Sequence, residues 1–213
     1  MKLISQDIQL MVAALALCSV TTSIQAASAL IGYEGAGENK AAMCVDCHGI
    51  DGNSDNPNYP RLAGQYAGYI VKQVKDFKKG HRPTDDAIAA MINSEDDIRD
   101  IGAYFSQQKM KGSLTKPNQD LLASGEKLYR EGNAKSGIYG CINCHGEKGK
   151  GMAENVSTFP VIGGQHRDYL VKQLKEYRDG VRPNDPAGMM TGVAKKLSDK
   201  EIEAVAEYLS AQL

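Results

Sequence analysis

"AAMCVDCHGIDGNS" occupies residues 41–54, and "YGCINCHGEKGKG" occupies 139–151. Each holds two cysteines three positions apart with a histidine directly after the second: Cys44, Cys47 and His48, then Cys141, Cys144 and His145. A C-x-x-C-H run is an attachment signal for c-type haem. The spacing follows from the chemistry. Each thiol adds across one porphyrin vinyl group, and the short loop holds the haem edge against the chain. The adjacent imidazole then sits under the iron as its proximal ligand, a common role for histidine. Two such runs predict two covalently bound haem c groups, with His48 and His145 on the irons.

Zinc, a redox dithiol and structural disulfides compete for the same cysteines. A Cys2His2 zinc site wants a second ligand pair, typically two histidines a few residues apart, and His81 and His166 stand alone. No βαβ pattern surrounds either motif, as a thioredoxin-like dithiol would need. Two matches in one chain favour haem over disulfides.

The fifth cysteine, Cys18, lies in the apolar run "LMVAALALCSV" at 10–20. That run is too short to span a bilayer, which takes about 20 residues. Lys2 precedes it and the small residues of "TTSIQAASA" follow. This is the order of a secretory signal peptide, with cleavage after Ala26 or Ala29. A lipid anchor at Cys18 is the alternative, and Leu17 is a poor residue before such a cysteine. With residues 1–26 removed, haem uses every remaining cysteine. Haem c is attached after export, so the expected compartment is the periplasm.

The formal charge of −1 makes no electrostatic case for nucleic acid. Three Phe, ten Tyr and no Trp are a thin aromatic supply for two small cores. Small domains bury a modest share of their surface, and a porphyrin in each core would fill that deficit.

The chain is an internal duplication. "YPRLAGQYAGYIVKQVKDFKKGHRP" at 59–83 matches "FPVIGGQHRDYLVKQLKEYRDGVRP" at 159–183, a constant offset of 100. Pro60, Gly64, Gln65, Tyr69, Lys72, Gln73, Arg82 and Pro83 are among the residues that recur identically. "DDIRDIGAYFSQQ" at 96–108 answers "KEIEAVAEYLSAQ" at 200–212. Each half reads as haem motif, Pro-x-x-x-Gly-Gln turn, helix, Arg-Pro loop and final helix.

Apolar residues at helical spacing mark the core faces. Ile70, Val74 and Phe77 form one stripe and Leu170, Leu174 and Tyr177 its copy. Ile98, Ile101 and Phe105 mark the first final helix, and Ile202, Val205 and Leu209 the second. Ser198 with Glu201 is a capping box, and Ser94 with Asp97 a weaker version. Lys72, Lys75 and Lys79 line another face, read as solvated, with partner docking as the alternative. Gly, Ser and Pro break the pattern in "KGSLTKPNQ" at 111–119. The expectation is an all-α chain of two tandem domains, 27–113 and 114–213, packed together.

With "CVDCHGIDGNS", "YPRLAGQ", "YIVKQ", "CINCHG", "FPVIGGQ", "YLVKQL" and "LSDKEIEAVAEYLS" in view, the chain resembles the dihaem cytochrome c4 family. The resemblance covers nearly all of the mature chain. It implies tandem class I cytochrome c domains in the periplasm, each with a His/Met haem. It also implies one-electron transfer from a membrane quinol-oxidising complex toward a terminal oxidase. Redox proteins are the expected partners, and peripheral membrane association is compatible with them.

Related cytochromes place the distal methionine seven residues before the Leu of "LSD". Counting back from Leu197 gives Met190, with Met189 the alternative. The first half departs from the pattern: Gly80 to Tyr104 is 24 residues, against 28 from Gly180 to Tyr208. The position matching Met190 falls near Asp85 and Asp86. Met91 is the methionine left in that loop, with His81 or an open iron as alternatives. The resemblance also implies that carbonyls at Pro60 and Pro160 accept from the proximal histidines. Gln65, Tyr69, Arg82 and their copies are candidates to bond haem propionates.

Two fully ligated haems leave no substrate position, and no other catalytic constellation stands out. The reading is an electron carrier and not an enzyme. The alternative is a catalytic haem protein or electron-transfer subunit acting on a sulfur compound or peroxide. An open first iron would favour it.

Overall fold

The computed structural model describes residues 32–84, 90–91, 94–112, 116–152 and 158–212. The export segment with Cys18 lies outside them, as do Asp85 and Asp86. Among these residues the chain is helical, with one isolated bridge between Asn133 and Ile138 and no strand. None of the described helices is long and apolar enough to cross a membrane.

The first half contains α1 (Glu34–Lys40), a 3-10 turn (Ala41–Cys44) running into α2 (Val45–His48), α3 (Ala67–Lys78) and α4 (Glu95–Gln107). The second contains α5 (Gln119–Glu131), α6 (Ile142–His145), α7 (Arg167–Arg178), α8 (Met189–Ala194) and α9 (Asp199–Ser210). The final helices start as their caps predict. Ser198 and Glu201 form a complete capping box, whereas Ser94 accepts from the Asp96 and Asp97 amides without the reciprocal bond.

The expected stripes build two cores. Ile70, Ile98, Ile101 and Phe105 are buried together in the first half. Leu128, Tyr129, Leu170, Ile202, Val205 and Leu209 are buried in the second. Each such side chain contributes about 1.5–3 kcal/mol on burial, so the stripes decide which helix face turns inward.

Periodicity does not announce α1 or α5. Each crosses the final helix of its half at a glycine. A Cβ on Gly37 would stand 2.1 Å from the Asp100 carbonyl oxygen, and one on Gly125 would stand 2.0 Å from that of Ala204. The Pro-x-x-x-Gly-Gln turns dock on the opposite ends of those final helices. The Gly64 amide donates to the Phe105 carbonyl and the Gly164 amide to that of Leu209, both at 2.9 Å.

The halves meet through a pseudo-two-fold set of polar contacts. The Gln65 amide bonds both backbone groups of Val161, at 2.8 and 3.0 Å. Gln165 does the same to Arg61, at 3.0 and 2.8 Å. Tyr66 donates to the Lys150 carbonyl, and its counterpart His166 bonds that of Ser54 through Nε2. Deeper in, Arg82 donates to Tyr169 and Gln173, while Arg182 donates to Tyr69 and Gln73. Lys72 corrects the reading of its helix face as solvated. Its Nζ pairs with Asp76 and reaches across to the Asn184 carbonyl at 2.7 Å.

Candidate haem sites

Each C-x-x-C-H run folds into a single helical turn. Cys44 ends the 3-10 turn and is the N-cap of α2, and Cys141 is the N-cap of α6. Residues three and four apart share a helix face, so both sulfurs and the imidazole gather on one side. A glycine with positive φ closes each turn, Gly49 at +79° and Gly146 at +70°. At Gly146 the need is acute, since a Cβ would stand 2.3 Å from the Gly151 carbonyl oxygen. Behind the turns, Ser54 donates to the Cys47 carbonyl at 2.8 Å and Tyr129 to that of Gly146 at 2.7 Å.

The proximal geometry is the same in both halves. His48 Nδ1 lies 2.8 Å from the Pro60 carbonyl oxygen, and His145 Nδ1 lies 3.0 Å from that of Pro160. A carbonyl can only accept, so each Nδ1 carries the hydrogen and each Nε2 keeps its lone pair for a metal. Burial lowers both imidazole pKa values, against a smaller opposing effect of the carbonyls. Burial thus favours the neutral form of both rings, the form that ligation requires.

Among the described residues, Cys44, Cys47, Cys141 and Cys144 form no disulfide with one another. Burial pushes the Cys44 and Cys141 thiols up to about 11, with the second cysteine of each motif adding to it. A thioether, which cannot ionise, suits such surroundings. Among the described residues no group of three or more His, Cys, Asp or Glu is placed to hold a metal ion by itself.

Other features also fit a porphyrin. Met43, Ile50 and Tyr59 are exposed apolar side chains close in sequence to the first motif, and Tyr59 stands edge-on to the His48 ring with centroids 6.0 Å apart. Arg82 and Arg182 are buried, and their hydrogen bonds run to neutral Gln, Tyr and Asn side chains. No ion pair joins either to a carboxylate among the described residues. Isolated buried cations are costly, and haem propionates are the anions that would offset them. Burial favours the neutral Tyr69 phenol, yet the nearby Arg182, Arg82 and Lys72 charges together hold its pKa below the ordinary value. This local positive potential is what an anion would meet.

The distal candidates differ in setting. Met190 is the second residue of the short helix α8, where the sequence suggested a loop, and it is half-buried. Its neighbour Met189 is 40% exposed and Met91 is 50% exposed. His81 is also exposed, and its Nδ1 lies 4.0 Å from Asp76. Asp185 was not singled out in the sequence. It accepts from both the amide and the hydroxyl of Thr191, at 2.9 Å each, and so closes the turn that carries Met190.

Paired cysteines and a carbonyl-oriented histidine, twice over in an all-helical chain, define a dihaem c-type cytochrome. The cytochrome c family profile matches residues 35–109 and again 122–212. The chain is 44% identical over 180 residues to cytochrome c4 of Pseudomonas aeruginosa, covering 84% of this chain and 88% of that protein. The crystal structure of reduced recombinant cytochrome c4 from Pseudomonas stutzeri superposes with a TM-score of 0.77 at 40% identity, covering 85% of this chain and all of that one. A thiosulfate dehydrogenase electron acceptor of Thiomonas intermedia is 36% identical over 178 residues, 81% of this chain and 80% of that protein. The chain belongs to the dihaem cytochrome c4 family. It carries two covalently bound haem c groups and transfers electrons with redox partners.

Proposed function

We propose that this cytochrome is a periplasmic carrier passing single electrons from a membrane quinol-oxidising complex toward a terminal oxidase. Its domains run 27–113 and 114–213, after removal of 1–26. Cys44, Cys47, Cys141 and Cys144 form the thioethers. His48 and His145 are the proximal ligands, Met190 the distal ligand of the second haem and Met91 that of the first.

The observation that carries this is the repeated histidine–proline carbonyl pair beneath paired cysteines. Each haem supplies a one-electron couple. Pro60 and Pro160 fix ring orientation and keep Nε2 toward the iron. A methionine thioether raises the potential, as suits an oxidising respiratory partner. Arg82 and Arg182 would hold the propionates. The half-buried setting of Met190, against exposed Met189, supports the choice between neighbours.

The test is reduction of the purified holoprotein by quinol-driven membranes and its reoxidation by oxidase-containing ones. Both haems should turn over. Failure to be reduced by any quinol-oxidising membrane fraction would overturn the respiratory assignment. The similarity to a thiosulfate dehydrogenase electron acceptor supports a second reading, in which the electron donor is a thiosulfate-oxidising enzyme. Reduction by thiosulfate plus such an enzyme, without quinol, would select it.

A further inference from the structure

Among the described residues, one group of contacts between the halves lacks a mirror image. Asn184 follows the repeated Arg-Pro pair of the second half and immediately precedes Asp185. Helix α3 of the first half grips it at both ends. Lys72 Nζ donates to its backbone carbonyl at 2.7 Å. Its side-chain nitrogen donates to Gln73 Oε1 at 3.0 Å and to Asp76 Oδ2 at 2.6 Å. Arg182 Nε donates to its side-chain oxygen at 3.0 Å.

The reciprocal position differs. Thr84 stands where Asn184 stands, and a threonine has no amide with which to repeat these donations. Lys172, the copy of Lys72, pairs with Glu176 on its own helix at 3.8 Å, and its side chain is 64% exposed. The brace therefore runs from the first half to the second.

What it holds is the methionine turn. From Asn184 the chain enters Asp185, whose carboxylate binds both the amide and the hydroxyl of Thr191, the residue after Met190. Between them Ala187 and Gly188 both take positive φ, at 53° and 67°. For alanine that conformation is unfavourable and persists where its surroundings enforce it. The turn is closed on itself by Asp185 and anchored at its entry to another domain.

We propose that Lys72, Gln73 and Asp76 of the first half are positioning residues for the distal ligand of the second haem. They act through Asn184 and the Asp185–Thr191 clasp. This rests on the assignment of Met190 to the second iron. It makes ligation at one haem depend on the docking of the other domain.

The test uses the dihaem holoprotein. The readouts are the ferric methionine charge-transfer band against pH and the methionine methyl resonances of the reduced protein, resolved haem by haem. Met190→Ala should remove the second haem's signals; if it does not, the ligand assignment falls and the brace with it. In Lys72→Met and in Asn184→Ala, the second haem should lose methionine about tenfold more readily, the equivalent of one charged hydrogen bond. The alkaline midpoint would move down by about one pH unit, and the first haem should stay put. Asp185→Ala should do the same from within the turn. Gln165→Ala, which opens the same interface at Arg61 on the first haem's side, should leave the second haem's midpoint in place. If Met190→Ala removes the signals while Lys72→Met and Asn184→Ala leave the midpoint unmoved, the brace alone is overturned. An equal shift in Gln165→Ala would overturn it too, by showing general loosening.

Discussion

Gln65 holds Val161 by both of its backbone groups, accepting from the amide at 3.0 Å and donating to the carbonyl at 2.8 Å. The same Oε1 accepts from the Tyr66 amide at 3.0 Å. Replacing Gln65 by Ala strips partners from three backbone groups at once. Leaving buried polar groups unpaired costs about 1–3 kcal/mol. Gln65→Ala should therefore lower the melting temperature of the holoprotein by about 4–8 °C for a loss of about 2 kcal/mol. Gln165→Ala, which strips Arg61, should match it. A change below about 1 °C in both, measured by calorimetry, would show that the interface does not support the fold.

The glycine crossings give a harsher prediction. A methyl on Gly125 would overlap the Ala204 carbonyl at 2.0 Å. Backbone cannot give way as a side-chain tip can, and overpacking costs about 1–3 kcal/mol or more. Gly125→Ala should destabilise the second half far more than Gly180→Ala, where the Cβ meets open space and the penalty is limited to positive φ. Chemical denaturation followed at each haem would rank them.

Much of this architecture is visible before any coordinates. The haem turns, the apolar stripes and the Ser198 cap are local patterns, and each is written within about two helical turns. The prolines under His48 and His145 came with the family resemblance, and the geometry agrees. Other features are not local. "EGAGENK" in α1 carries glycines that speak against a helix in isolation, and the crossing with α4 explains Gly37. Gln65, Tyr69 and Arg82 recur identically, which suggests cofactor contacts; that each also reaches a partner in the other half follows from a symmetry that sequence order does not express. Lys72 and Lys172 are identical in sequence, yet they differ in role because Asn184 faces one and Thr84 occupies the matching place for the other.

His166 supplies a pH dependence with a definite sign. Its pKa lies below the ordinary 6.5, first because it is buried and then because Arg61 repels the imidazolium; the Ser54 carbonyl, Asp55 and Asp168 oppose this. The folded chain thus holds a neutral ring while the unfolded chain takes up a proton as pH falls through about 6.5. The contribution of His166 to stability is complete above that pH and is lost below it, at no more than about 1.4 kcal/mol per pH unit. His166→Gln should lose less stability than the parent between pH 7 and pH 5. The proximal histidines are common to both proteins, so they cancel in the comparison. Identical acid profiles in urea titrations would remove His166 from this role.

The two methionine loops should behave differently under the same stress. The second spans 18 residues from Gly180 to Ser198, is clasped by Asp185 and Thr191, and is tied to the first half through Asn184. The first has 14 residues from Gly80 to Ser94, and its Met91 side chain is half exposed. A shorter span to the final helix strains any bond Met91 makes to the iron. The first haem should therefore lose methionine before the second as pH rises, and the two should titrate as separate one-electron couples, each 59 mV of separation being tenfold in equilibrium constant. At neutral pH the first ferrous haem should still resist carbon monoxide, and Met91→Ala should open it while leaving the second haem's spectrum unchanged. Ready carbon monoxide binding to the first haem of the unmutated protein would mean that Met91 is not a firm ligand. An iron with an open position could then react with a small molecule as well as carry an electron.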